Sequence, residues 1–284
     1  MIWMLIAADC LPVERSPESL RHHFEVEREL ANRLRASTRE ERPVLVPRLY
    51  AELYKRVPDH PRTDRAKSPE AAAAAVRSQL RLLSSFMGPK CQFVEFGAGS
   101  GELSRAVRGK AGRVVAVEVC EQGDRQPASE EGVEWVYHDG LSIPLPDRTF
   151  DLAFSYQVLE HVHPDDVPVH LAEAARILKP GGTYVLSTPH EFSGPHDISR
   201  YFTSGLETFH LKEWTYAGLS AELRKAGFDW VGAFVRGQHE EKRGLWLWLI
   251  IETTLRFLPQ KLRTVAARKI LNNVVVSATR GAER

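Results

Sequence analysis

The stretch Val94-Glu95-Phe96-Gly97-Ala98-Gly99-Ser100-Gly101-Glu102 sets three glycines at alternate positions, with an acid on either side. Glycine turns a chain at positive φ and lets a ligand lie on the backbone with no Cβ between them. The strand-like run QFVEF precedes this loop and a helix-like run follows it. In an open α/β sheet that is where a ligand crevice forms. Dinucleotide sites put glycines at the same turn in the pattern GxGxxG, but here the third glycine falls one residue early and Glu102 follows. Glu95 sits poorly beside a pyrophosphate and suits a cationic group, an α-amino or sulfonium centre.

A second strand, RVVAVEV, closes on Glu118 and Val119, with the acid 17 residues after Gly101. A carboxylate there accepts from vicinal ribose hydroxyls, which implies a nucleoside ligand without choosing its class. The third strand, EWVYH, ends in His138-Asp139-Gly140-Leu141, and Asp139 can accept from an exocyclic adenine amine. Then come Ile143-Pro144-Leu145-Pro146-Asp147, Phe150-Asp151, Leu159-Glu160-His161-Val162 and Arg176-Ile177-Leu178-Lys179-Pro180-Gly181-Gly182.

This ordered set resembles the small-molecule branch of the class I S-adenosylmethionine (SAM)-dependent methyltransferases, over roughly residues 90–236. The resemblance implies a doubly wound α/β fold, seven-stranded with the last strand antiparallel, and SAM lying across the carboxyl ends of the first, second and fourth strands. Carried onto matching positions, Glu95, Gly97, Ala98, Gly99 and Gly101 would hold the methionyl part. Glu118 would hold the ribose, Val119 would flank the adenine, and Asp139, Gly140 and Leu141 would meet the ring. Ser155 and Tyr156 would border the methyl group.

Methyl transfer from a sulfonium is an in-line displacement, so alignment and exclusion of water dominate. A hydroxyl acceptor also needs a base, and the loop 188–202 after the fifth strand is rich in His, Asp, Arg and aromatics. His190 and His196 are the expected bases. Gln157-x-x-Glu160-His161 resembles the ExxEH sequence with which ubiquinone-pathway and small-RNA methyltransferases bind a divalent ion. Gln157 removes one anionic ligand, so no metal is expected, although His190 would be a further ligand if one bound.

The elements that must position these groups follow from periodicity. Residues 1–88 read as a helical extension or cap, with Ser16-Pro17-Glu18 and Ser68-Pro69-Glu70 as helix starts. Residues 89–284 read as the SAM-binding domain, with strands QFVEF, RVVAVEV, EWVYH, FDLAFSY, TYVLST, VGAFV and NNVVVSA. Before the last strand stands an apolar helical insertion, 238–271, in which Leu247, Ile251, Leu255 and Leu258 share a helical face and basic residues follow. Three readings of it stay open: a lid over a lipophilic acceptor, a homodimer surface, or a membrane-surface contact through 244–258.

Formal net charge is +1 from 38 basic and 37 acidic residues, which gives no general attraction to nucleic acid. No basic stripe interleaved with aromatics appears, and the fourth strand lacks the Asn/Asp-Pro-Pro-Tyr tetrad of amino-group DNA methyltransferases. Cys10, Cys91 and Cys120 show no paired spacing and read as reduced thiols. With the short MIWMLIAADC start not read as a secretory signal, the expected compartment is the cytoplasm. The expected function is methylation, O-methylation favoured, of a small lipophilic acceptor. A NAD-dependent oxidoreductase and an inactive SAM-binding scaffold remain alternatives.

Overall fold

The computed structural model describes residues 15–61, 69–119, 132–235 and 238–282. Cys10, Cys120 and the helix start at Ser68 lie outside them. Five parallel strands lead the sheet: β1 (Gln92–Phe96), β2 (Arg113–Glu118), β3 (Glu134–Tyr137), β4 (Phe150–Tyr156) and β5 (Leu178–Pro189). They are followed by β6 (Phe228–Val235), β7 (Gln238–Glu240) and β8 (Asn273–Arg280), and the spatial order is β3-β2-β1-β4-β5-β8-β6-β7. The last strand runs antiparallel to both β5 and β6, as expected. The seven expected strands are joined by one more, the three-residue edge strand β7, too short to announce itself by alternation.

Chain order reverses between β1 and β4, where β1 pairs with β2 on one side and β4 on the other. The connections from β1 and β4 leave in opposite directions there and open a crevice at the carboxyl ends. Apolar residues alternate between the two faces of the sheet and feed two cores. Val94, Phe96, Leu186 and Val276 join one, and Phe93, Val114, Phe154 and Val185 the other.

Ahead of the sheet lie α1 (Pro17–Arg35), α2 (Arg42–Arg56) and α3 (Pro69–Leu83). Ser16 caps α1 by accepting from the Ser19 amide at 3.1 Å. α1 and α2 share a core of Val26, Leu30, Leu34, Leu49 and Leu53 that also takes in Phe209, far along the chain. Arg35 donates to the carbonyls of Leu206, Glu207 and Thr208, so α1 is tied to the loop before α6 (Tyr216–Lys225). Buried Arg42 of α2 meets buried Asp166 at 3.0 Å, at the N-terminus of α5 (Val167–Ile177). The short helix α4 (Glu102–Val107) follows the glycine loop.

The insertion resolves into β7, α7 (Glu241–Arg256) and α8 (Gln260–Ile270). Leu245, Glu252 and Leu255 of α7 point into the molecule, and Trp248 donates from Nε1 to the Phe234 carbonyl at 2.8 Å. No helix among the described residues is long and apolar enough to cross a membrane.

Candidate active site

At the carboxyl ends of β1, β2 and β4 a cleft encloses about 880 Å³, open solvent at its mouth included. One wall is Gly97, Glu118, Val119 and the run His138–Leu141. The other is Gln157, Val158, His161, Val162 and His163, roofed by Arg42, Val46 and Tyr50 of α2.

The first wall is shaped by backbone. Gly97, Gly99 and Gly101 all stand at positive φ, and a Cβ on Gly97 would overlap Val158 Cγ2. The loop is held from behind by Glu118, whose Oε2 accepts from the Gly99 amide at 2.9 Å and whose Oε1 accepts from the Val119 amide at 2.9 Å. Asp139 Oδ1 accepts from the amides of Leu141 and Ser142, a local turn that fixes the third segment. His138 Nδ1 accepts from the Gly140 amide, and burial lowers the pKa of its ring, which favours the neutral form.

The facing wall is built from side chains. It begins at Gln157, a non-glycine residue at φ 57° directly after β4. Strain of that kind survives where surrounding structure dictates it, commonly at functional sites. His161 follows on a single 3-10 turn (Leu159–His161). Its Nδ1 lies 3.0 Å from the Phe209 carbonyl, which only accepts, so Nδ1 carries the proton and the neutral ring's lone pair is on Nε2. His170, at the back of the cleft, is held neutral by burial, its pKa pushed down to about 4.

Beside His161 lies a group the sequence left unassembled. Glu160, His161 and His210 each bring a ligand-type atom within 4.8 Å of the others. Glu160 is fully buried. Its Oε2 accepts from Thr188 Oγ1 at 2.9 Å, while Oε1 has no hydrogen-bond partner. Burial pushes its carboxyl up to about 7. His210 Nδ1 lies 2.9 Å from Glu213 Oε1, and Glu213 Oε2 lies 3.0 Å from His196 Nδ1. Burial works against ionising Glu213, yet bonds from His196 and His210 hold its carboxyl at about 2.

Residues 94–186 match the methyltransferase domain family. A probable SAM-dependent methyltransferase of Mycolicibacterium smegmatis is 30% identical over 141 residues, 48% of this chain and 51% of that protein. The 2-phytyl-1,4-naphtoquinone methyltransferase of Synechococcus elongatus is 28% identical over 166 residues, 54% of this chain and 68% of that protein. The fold is shared with a Haemonchus contortus phosphoethanolamine N-methyltransferase 2 in complex with SAM. That match has a TM-score of 0.51 and 16% identity, over 72% of this chain and 53% of that one. The chain spans about half the length of the first curated relatives it matches. Residues 94–186 thus form a methyltransferase domain similar to those of SAM-dependent methyltransferases.

Within this methyltransferase domain, the expected donor residues divide. Gly97, Glu118, Val119, Asp139, Gly140 and Leu141 line the cleft. Ala98, Gly99 and Gly101 shape the loop from outside the lining, and a Cβ on Gly101 would come within 2.6 Å of Trp135. Glu95 is buried under the loop, where its Oε2 accepts from Ser104 Oγ at 2.6 Å and burial pushes its carboxyl up to about 8. It lines no part of the cleft, and the expected direct contact with a cationic ligand group finds no support there.

Three placements correct the sequence reading. Ser155 turns into the core, 2.8 Å from Tyr184 Oη, and Tyr156 stacks on Phe154 on the opposite face, so neither borders the cleft. Alternation along β4 sends them apart, and the first cleft-lining residue of this segment is Gln157. His190 is completely buried, with Nε2 2.8 Å from Glu252 and Nδ1 accepting from the Phe192 amide. Both ring nitrogens are committed away from the cleft, which removes it as base and as metal ligand. His196 is spent between Glu213 and Ser193 and lines no part of the cleft. Arg42, Val46 and Tyr50 in the cleft lining, and His210 beside it, are what sequence reasoning missed, while His161 was named only within a metal-type motif. Arg42, Val46 and Tyr50 recur at helical spacing, the one available signal.

Proposed function

We propose that the chain transfers the methyl group of SAM to a hydroxyl oxygen of a small, largely apolar acceptor seated between the glycine loop and α2. The observation that carries this reading is the continuity of one cleft from Gly97, Glu118 and Asp139 to Val158, His161 and Tyr50. The ribose diol would bond Glu118, and the adenine would lie against Val119 and Leu141. The hydroxyl oxygen attacks the methyl carbon as the carbon–sulfur bond breaks. The bonding pair leaves on sulfur, giving S-adenosylhomocysteine, and the hydroxyl proton passes to His161 Nε2. The Phe209 carbonyl keeps that ring in the right tautomer. Val46, Tyr50, Val158 and Val162 favour an apolar acceptor, and the resemblance to a phytyl-naphtoquinone methyltransferase supports that class.

The test is transfer of label from methyl-labelled SAM to a panel of hydroxylated aromatics and quinols, with wild type and His161→Ala. Transfer by the wild type and loss in the variant, with S-adenosylhomocysteine affinity kept, supports the proposal. Donor binding with no turnover on any hydroxyl acceptor or in cell extract favours the inactive scaffold.

A second reading is favoured by the orphaned Glu160 Oε1. One carboxylate and two imidazoles are a fitting donor set for a divalent cation, and Glu213 and the Phe209 carbonyl orient the two rings as outer-shell partners do. Such a cation on Glu160, His161 and His210 would lower the pKa of an acceptor hydroxyl. Metal analysis of the purified protein, and activity after chelation, separate the readings. Full activity without metal leaves His161 as base, while loss on chelation and recovery with Mg²⁺, Mn²⁺ or Zn²⁺ moves it into a ligand set.

A further inference from the structure

Of the three readings of the insertion, the lid has no support in the cleft lining, since no residue of 244–271 belongs to it. What the helical hairpin α7–α8 presents instead is an outward apolar surface. Eleven large hydrophobic residues are exposed among those described, and eight of them fall here: Trp246, Leu247, Ile250, Phe257, Leu258, Leu262, Val265 and Ile270. Phe257, at the turn between the helices, is 85% exposed. An apolar patch of this kind marks a site of contact with something else.

The outward face is fixed by how the inward face is docked. Leu245 and Leu255 are buried, and Trp248 stacks on Tyr216 with ring centroids 5.5 Å apart. Buried Glu252 accepts from the amides of Tyr216 and Ala217, which caps α6. α7 is thus apolar on both sides but buried on one, a pattern that calls for a second apolar environment.

Charge selects which environment. Between Trp246 and Ile270 every exposed charged side chain is basic: Arg256, Lys261, Arg268 and Lys269. The one acid in that span, Glu252, is buried. A second copy of this chain would bring the same positive charges face to face. An anionic lipid surface instead complements them while accepting the apolar face in the plane of its headgroups.

We propose that the α7–α8 hairpin is a docking surface for an anionic membrane, lying in the interface rather than crossing it. Phe257 and Leu262 insert, and Lys261 and Lys269 pair with lipid phosphates. The hairpin and the cleft share one edge of the sheet. Asn273, which follows α8, pairs with Pro189 at the end of β5 and bonds the cleft residue Gln157. Docking would therefore turn the cleft edge toward the lipid, where an apolar acceptor would be found. That last point rests on the proposed function, but membrane binding itself does not.

The experiment is flotation of the full chain with vesicles of phosphatidylglycerol and phosphatidylcholine, against phosphatidylcholine alone, at low and high salt. Phe257→Ser with Leu262→Ser, and Lys261→Glu with Lys269→Glu, are the variants, and unchanged S-adenosylhomocysteine affinity in each shows that the fold is kept. The proposal expects binding to anionic vesicles only, weakened at least tenfold by salt and by the charge reversal and abolished by the serine pair. Equal binding to neutral vesicles, or no binding to either, overturns it. So does a dimer in light scattering that the serine pair disperses without any flotation of the wild type. Failure of flotation with methyl transfer intact would sink only this inference.

Discussion

On the side of the cleft proposed for the donor the inward groups are largely backbone, at Gly97 and Gly140, set by positive φ and steadied by the Glu118 carboxylate. On the acceptor side they are side chains, with Arg42, Val46 and Tyr50 reaching down from α2 and His161 rising from a 3-10 turn. The two walls therefore differ in what they tolerate. A wall of backbone fails when a single Cβ is added, whereas a wall of side chains can be re-lined one residue at a time. Donor binding should be brittle and acceptor choice adjustable on the same scaffold.

The harshest test of that contrast is Gly97→Val. The new side chain meets Val158 and must hold a positive φ, so S-adenosylhomocysteine binding should become undetectable by calorimetry. Val158→Ala added to it should not restore binding, because the φ penalty remains. Next in size, His161→Ala should cut kcat by roughly a hundredfold to a thousandfold while the donor dissociation constant stays within about twofold. If the variant lost donor affinity instead, the two walls would not be separable.

Arg42 and Arg39 sharpen the comparison from the roof. Both bond Asp166, but Arg42 is 5% exposed and Arg39 49%. Arg42→Ala should cost about 3 kcal/mol of stability in urea denaturation, because Asp166 is left buried beside an emptied site. Arg39→Ala should cost under about 1 kcal/mol. The smallest effect concerns pH. His170 titrates near 4 in the folded protein, below its ordinary value near 6.5. As pH falls from 6.5 towards 4, the unfolded chain takes up a proton that the native state refuses, so stability is lost on acidification. His170→Gln should therefore show a smaller drop in Tm between pH 7.5 and 5.0 than the wild type, by a few degrees.

The wall proposed for the donor is made of residues that lie close together in the sequence. Glu95, the three glycines, Glu118 and Asp139 follow one another within three consecutive strand ends, and their spacing reflects backbone needs. The wall proposed for the acceptor was legible only at Gln157, Glu160 and His161, because its other members join them only through folding. His210 reaches Glu160 and His161 by way of a loop that α1 pins, and the α2 residues look like any amphipathic stripe. Seven of the strands declared themselves through short runs rich in aromatic and aliphatic residues. Edge strand β7 was too short to do so, and the role of α7 stayed open because apolar residues on two faces of a helix do not reveal which face is covered. His190 misled for a related reason: a histidine after β5 looks catalytic until Glu252, 62 residues later, is seen to claim it.

The most direct measurement is a crystal structure with S-adenosylhomocysteine. The account predicts the ribose diol on Glu118, the adenine between Val119 and Leu141, and the sulfur facing His161 beneath Tyr50. A nucleoside bound away from Glu118, or a sulfur directed away from His161, would contradict it.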